Sequence, residues 1–233
     1  MKIALGMIAK NERPILEKTL NYKALDFDLK LAVDFMSDDN TVELLGSYGF
    51  QLIRQEWGGN YASARNTLIQ FAEEQGADYL FMVDADEAMF SHDIEQLKAL
   101  AEVHDAIAVP RYEFVQDFGH YDPNLYPDYQ CRFFRLNKGM YFKNRVHEML
   151  TTEKGDVCLE RHYLHAKVPT TPIYHYSRVK PHRELALKYI NYDRMLKGEE
   201  PLRELPEGYD PEAKYWEKCE PFTNNHPLKD YVY

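Results

Sequence analysis

Two rhythms of apolar and polar positions alternate along the first hundred residues. Short apolar runs with the length of buried strands occur at Lys2–Ile8, Leu29–Val33, Phe50–Ile53 and from Tyr79 onward. Between them lie stretches with helical spacing: Ile15, Leu16, Thr19 and Leu20 behind Pro14; Val42, Leu44 and Leu45; and Ala64, Leu68 and Phe71 within about 61–75. Asn40 with Glu43 three residues on reads as a capping box for the second helix. Three strand–helix units followed by a fourth strand predict right-handed crossovers, and hence a mostly parallel sheet with helices on both faces.

Beyond a helix at about 93–101 the period changes. Residues 107–109, 129–135 and 140–142 read as strands, the last two joined by a turn at Asn137-Lys138-Gly139. The segment 116–129, rich in Asp, Pro, Tyr and Gly, reads as a loop serving as a lid or acceptor wall. A polar hairpin through about Leu164, a strand at Ile173–Tyr176 and a Pro181-started helix over about 182–196 follow, and the Pro- and Glu-rich tail from Lys197 reads as a wrapped extension.

A chain of 233 residues with 45% hydrophobic content buries one sizeable core. The formal net charge of −10 argues against a general nucleic-acid coat protein. That average hides an asymmetry: residues 1–105 carry 9 Lys/Arg against 19 Asp/Glu, whereas 106–198 carry 15 against 10 and six of the nine histidines. Anionic ligands are therefore expected at the middle third. Cys131, Cys158 and Cys219 are widely spaced, which suits a reducing compartment and suggests neither a disulfide framework nor a zinc site. No stretch approaches the roughly 18 apolar residues of a membrane span. The chain also runs straight into a strand without a leader pattern, so a cytoplasmic location is expected.

The candidate chemistry begins at Tyr79–Glu87, an apolar run that ends in three carboxylates. Alternation along a strand would place Asp84 and Asp86 on one side and Ala85 on the other. Two such carboxylates repel unless a positive group lies between them, and Mg²⁺ or Mn²⁺ would satisfy both while keeping positions open for phosphates. A solvated acidic turn is the plainer alternative, but ligands of open α/β sheets gather at the carboxyl ends of strands. Arg65, in the first turn of its helix, opposes the helix dipole and so suggests a phosphate or nucleobase partner, or a salt bridge to a nearby acid.

The order of motifs resembles the family 2 glycosyltransferases with the GT-A fold. The resemblance is carried by Met7–Glu12 after the first strand, Asp34 with Ser37–Thr41 after the second, and Trp57 with Ala64-Arg65-Asn66. It continues through Val83–Glu87, Val146-His147-Glu148 and His175-Tyr176, covering roughly residues 1–195. It implies a GT-A domain over 1–198, with a nucleotide-sugar half (1–105), an acceptor half with a smaller subsheet (106–198) and a C-terminal extension (199–233). It also implies metal-dependent, inverting transfer of a sugar, expected to be a hexose, from a UDP-sugar or similar donor.

The same resemblance gives Asp86 as the main metal ligand, Asp84 for ribose or metal, Asp34 for the nucleobase and His175 to complete Mn²⁺ coordination. Asn11, Glu12 and Arg65 would line the nucleotide pocket, and Arg178, Lys180 and Arg183 would clamp the diphosphate. Glu148 is the expected base, with Asp117 and Asp128 in reserve, because the base of an inverting displacement lies across the sugar from the leaving group. Trp57, Tyr61, Tyr121, Tyr126 and Tyr129 are candidate aromatic platforms. A nucleotidyltransferase or phosphotransferase on the same metal pair is the alternative enzyme, although the chain lacks a Gly-rich phosphate loop; a non-catalytic sugar-nucleotide-binding module is the other. The acceptor is open, and an anionic glycan, a lipid phosphate or modified nucleic acid would each suit the basic middle third.

Overall fold

The computed structural model describes residues 1–23, 26–156, 165–210 and 219–231. The alternating first half folds as its pattern predicts: β1 (Ile3–Ala9), α1 (Arg13–Lys23), β2 (Leu29–Asp34), α2 (Thr41–Ser47), β3 (Gln51–Arg54), α3 (Tyr61–Glu74) and β4 (Tyr79–Met82). Strands lie in the order β3-β2-β1-β4, all parallel. After β5 (Glu87–Ala88) and α4 (Ser91–Leu100) come β6 (Ala106–Val115), β7 (His120–Tyr121), a 3₁₀ turn at Pro123–Leu125 and β8 (Asp128–Arg135). Strand β8 inserts antiparallel between β4 and β6 and so extends the sheet.

The chain continues through β9 (Tyr141–Lys143), β10 (Met149–Thr152), β11 (Gly155–Asp156), β12 (His165–Lys167), β13 (Ile173–Arg178), α5 (His182–Leu196) and β14 (Glu220–Pro221). Strands β12 and β13 run parallel to β6, and β5 pairs antiparallel with β13. A separate three-stranded sheet, β11-β10-β9, packs near α3.

Three expectations change. Asn40 sits at the start of α2 in the left-handed conformation (φ 64°) with no side-chain cap; Asp39 Oδ1 instead accepts from the Thr41 backbone (3.0 Å) and hydroxyl (2.6 Å). The turn at 137–139 joins strands of different sheets, because β8 is needed in the main sheet and β9 pairs with β10. Strand β6 runs for ten residues, through Pro110. Most of the polar hairpin expected through Leu164 lies outside the described residues.

Both faces of the parallel block are covered. Leu5, Met7, Phe81 and Val83 meet Leu16 and Leu20 of α1, Leu45 of α2 and Ile94 and Leu97 of α4. On the other face Leu31, Val33, Leu80 and Met82 meet Ala64, Leu68 and Ala72 of α3 with Phe142 and Leu150 of the small sheet. A strand buried on both faces has no polar alternation to show, which is why β4 reads as a continuous apolar run.

Gly6 lets Leu80 of β4 and Leu68 of α3 close over β1: a Cβ there would lie 2.6 Å from Leu80 Cδ1 and 3.0 Å from Leu68 Cδ2. Overpacking of that kind costs about 1–3 kcal/mol. Gly6→Val is expected to lower the urea midpoint accordingly, and an unchanged midpoint would contradict this close packing.

A third apolar cluster joins Phe114, Phe118, Tyr174 and Tyr176 to Leu228 near the C-terminus, with Phe222 against it. His226 is buried there, its ring 4.7 Å from Phe114 and its Nδ1 3.2 Å from the Tyr176 hydroxyl. Burial, with Lys229 nearby, holds its pKa down to about 4. A histidine whose folded pKa is depressed lets the unfolded chain take up the proton first. Its contribution is therefore intact above pH 6.5 and is lost as pH falls from 6.5 toward 4. Across that window the Tm of the native chain should fall more steeply than that of a His226→Gln variant; parallel Tm profiles would refute the assignment.

Candidate functional site

Strand β4 stops at Met82, and the next residues form a turn in which the Asp84 carbonyl accepts from Glu87 N (3.1 Å) and Asp84 N donates to Glu87 Oε2 (2.9 Å). Asp84 and Asp86 are therefore placed by a turn at the sheet mouth, not by strand alternation. The chain itself supplies the positive charge that Asp84 needs. Arg65 Nη2 donates to Asp84 Oδ2 at 3.0 Å and Arg132 Nη2 to the same oxygen at 2.9 Å. Arg65 Nη1 also lies 2.8 Å from Asp84 Oδ1, an approach off the hydrogen-bond axis that acts as a charge contact. Burial would raise the Asp84 pKa, but Arg132 and then Arg65 hold it well below the usual carboxylate range.

The network runs outward from this pair of guanidinium groups. Arg65 Nε donates to Glu148 Oε1 at 2.6 Å, so the expected base and Asp84 share one arginine. Arg132 Nη2 reaches Glu87 Oε1 at 2.6 Å, and Arg111 lies 3.7 Å from the same carboxylate while donating to Asp128 Oδ2 at 2.7 Å. Asp128 is thereby committed to Arg111, and Asp117 to its own turn through Gly119 N and His120 Nδ1.

Asp86 belongs to a second group. Its Oδ1 lies 3.3 Å from His175 Nε2, and His175 Nδ1 lies 2.7 Å from Glu113 Oε2, with Ser177 Oγ donating to the other Glu113 oxygen. Burial alone would push the carboxyls up and the imidazole down. Mutual attraction prevails: His175 is pushed up to about 9 by Glu113 and Asp86, Glu113 is held down to about 2 by His175 and Arg111, and Asp86 lies well below its usual range. Lys188 and Lys180 add to the field at Asp86. Among the described residues no group of three or more His, Cys, Asp or Glu side chains is arranged around one metal position. Asp86 and His175 are a facing oxygen–nitrogen pair, however, and the Glu113 carboxylate behind the imidazole is the support a metal-ligating histidine usually has.

The nucleotide-side candidates lie at the ends of β1 and β2. Asp34 is fully buried; its Oδ2 accepts from Ser37 N (3.1 Å) and Arg54 Nε (3.0 Å), while its Oδ1 has no hydrogen-bond partner. A buried acceptor left open this way is costly unless something donates to it. Asn11, in the left-handed conformation (φ 53°), fastens the two loops together: its N donates to Ser37 Oγ and its Oδ1 accepts from Asp38 N. Glu12 N donates to Thr41 Oγ1, and its carboxylate faces Lys188 of α5.

Lys188 sits on the α5 turn that approaches Asp86, Tyr61 and Glu12, 5.8 Å from the Tyr192 ring. Tyr61 shares a hydrogen bond with Tyr192 and packs edge-on against Trp57. Of the proposed clamp, Lys180 faces Asp86, and Arg178 pairs with Glu113 and Asp122. Arg183 is exposed and lines a cleft with Glu184 and Arg203 instead. Tyr121 and Tyr126 join the Tyr112 cluster on the far side of β6, and Tyr129 stacks under Lys167.

The sequence profile of Glycosyl transferase family 2 matches residues 5–155. The chain belongs to this family. Among curated relatives of this family 2 chain, the SPbeta prophage-derived glycosyltransferase SunS of Bacillus subtilis (strain 168) is 28% identical over 153 residues, 63% of this chain and 34% of SunS. The chain thus spans about a third of that relative. Staphylococcus aureus TarS (residues 1–349), crystallised with UDP-GlcNAc, superposes with a TM-score of 0.55 at 14% identity, covering 84% of this chain and 70% of TarS. TarS 1–349 crystallised alone gives 0.51 at 15% identity, covering 84% and 69%. The fold is therefore GT-A, as the order of motifs implied.

Sequence reasoning missed Arg132, Arg111, Glu113 and Lys188, and singled out Glu87 only as the third carboxylate of its run, without a role. Arg132 had a visible signal, a lone charge inside Cys131-Arg132-Phe133-Phe134, which a buried strand tolerates only with a partner. Removing it takes a guanidinium from between Asp84 and the fully buried Glu87. Arg132→Met should cost about 3–5 kcal/mol in urea unfolding, partly recovered by adding Glu87→Gln. A loss under about 1 kcal/mol would place the stabilising charge elsewhere.

Proposed function

We propose that the chain transfers a hexose from a UDP-sugar to an acceptor hydroxyl with inversion, assisted by a divalent metal. The observation that carries this reading is the facing pair Asp86 Oδ1 and His175 Nε2, backed by Glu113, on the same sheet mouth as the open Asp34 Oδ1. Strands β4 and β2 both flank β1, so the turn after β4 that carries Asp86 and the end of β2 that carries Asp34 lie at nearby strand ends, where ligands of open α/β sheets gather. Membership in family 2 and the UDP-GlcNAc bound by the structurally similar TarS agree with that assignment.

In this reading Asp34 Oδ1 accepts the N–H of the uracil ring, and Asn11 and Glu12 hold the loops that form the pocket wall. Asp86 and His175 suit Mn²⁺ or Mg²⁺, with Mn²⁺ favoured by the imidazole nitrogen. When bound, such an ion stabilises the charge that grows on the departing diphosphate. Lys188 and Lys180 face the same space and oppose that charge directly. Glu148, oriented by Arg65, takes the proton of the acceptor hydroxyl as its oxygen bonds to the anomeric carbon. The bond from that carbon to the diphosphate oxygen then breaks on the opposite face. Asp84 positions Arg65 and is not a free metal ligand, since two arginines already occupy it.

A panel of UDP-sugars with Mn²⁺, scored by UDP release and by thermal shift, tests the reading. One sugar should raise the Tm and be hydrolysed slowly, Asp86→Asn should lose both effects, and Glu148→Gln should keep the shift while turnover falls roughly 100-fold or more. Absence of any shift with every nucleotide sugar, with and without metal, would overturn the assignment.

A further inference from the structure

The strands that build the site have a second face. Along β6, Arg111 and Glu113 point to the ionic network while Tyr112 and Phe114 point away. Along β13, His175 faces Asp86 while Tyr174 and Tyr176 point away. On that far face a cavity of about 300 Å³ is walled by Phe90, Tyr112, Tyr126, Tyr174 and Phe222. Its rings are locked together. Tyr126 stacks on Tyr112 at 4.0 Å, Tyr174 lies nearly parallel to Tyr112 at 5.9 Å, Phe222 meets Tyr112 edge-on at 4.8 Å, and Phe90 meets Tyr174 edge-on at 5.7 Å. Because β7, β14 and the 3₁₀ turn hold Tyr126 and Phe222 in place, the wall is built before any ligand arrives.

Among the described residues one carboxylate lines this cavity. Asp93 is only 4% exposed, and the titratable group beside it is His92, whose Nε2 lies 3.4 Å away on a ring that is 76% exposed. Asp93 lies in the first turn of α4, where the helix dipole favours a negative charge, yet burial still raises its pKa above the ordinary value. Among the described residues no lysine or arginine lines the cavity. A buried carboxylate amid aromatic rings, with only an exposed imidazole beside it, favours a cation over a neutral hydroxylated ligand.

We propose that this cavity binds an organic cation, an alkylammonium group seated against the tyrosine and phenylalanine rings and neutralised by Asp93. The site is separate from the sugar-nucleotide side of the sheet and is independent of the assignment made there. Its size is at the lower end for small-ligand pockets and suits a head group the size of trimethylammonium.

The test compares choline with its neutral isostere 3,3-dimethylbutan-1-ol and with methyl glucoside. Each is titrated into the full chain and followed by NMR shifts of the tyrosine ring protons and by calorimetry. Choline should bind at least tenfold more tightly than the isostere, and Asp93→Asn should erase that difference without altering UDP binding. Equal binding of choline and isostere, no binding of choline, or a preference for the glucoside would each overturn the proposal. Should Asp93→Asn fail to fold, the choline–isostere comparison on the native chain decides alone.

Discussion

The site depends on one carboxylate held by two guanidinium groups. Asp84 leaves β4 at the point where the sheet opens, and the arginines that meet it come from α3 and from β8, elements far apart in sequence. Each arginine is almost wholly buried and is shared between Asp84 and a second carboxylate, and together the two hold the Asp84 carboxyl well below its usual range. The contact therefore fixes where α3 and β8 lie relative to the strand end. Through Arg65 it also fixes Glu148, and through Arg132 it fixes Glu87 and the turn that presents Asp86.

That arrangement divides labour between the two aspartates. Asp84 is structural in effect, a counter-charge that holds two cations in register. Asp86 faces an imidazole and two lysines, and among the described residues no arginine holds it. A desolvated network of this kind contributes less to stability than its number of contacts suggests, because taking each ion out of water offsets most of the Coulomb gain. What it provides is geometry: charged groups held in fixed positions by one another, the kind of arrangement that needs no reorganisation to meet a ligand's charge.

The first hundred residues were legible because each element there is local. Buried parallel strands give apolar runs, amphipathic helices give spaced ones, and Pro14 and Gly76 punctuate them. The second half was less so. Pro110 usually signals a strand end, yet β6 continues past it with a register shift near Ile107, so Arg111 and Glu113 fell outside the expected strand. The turn at 137–139 has the composition of a hairpin, but its flanking strands find better partners in different sheets. The sequence signals that Arg132 needs a partner but not which one. Pairing between β4 and β8 is a long-range fact, and Arg132 acquires its role only when Leu80 and Phe81 lie opposite Phe134 and Phe133.

Strands β6 and β13 then explain why one sheet carries two chemistries. Their alternation puts acids, arginines and His175 on one face and tyrosines with phenylalanines on the other, so neither set can be altered by a register slip without exchanging both. The residues that seal the aromatic face, Phe222, His226 and Leu228, arrive from the end of the chain. The helix before them, α5, brings Lys188 to the ionic face. The last third of the sequence thus supplies β13 and completes both sides of a sheet begun in the first half, with residues whose purpose is visible only against the earlier strands.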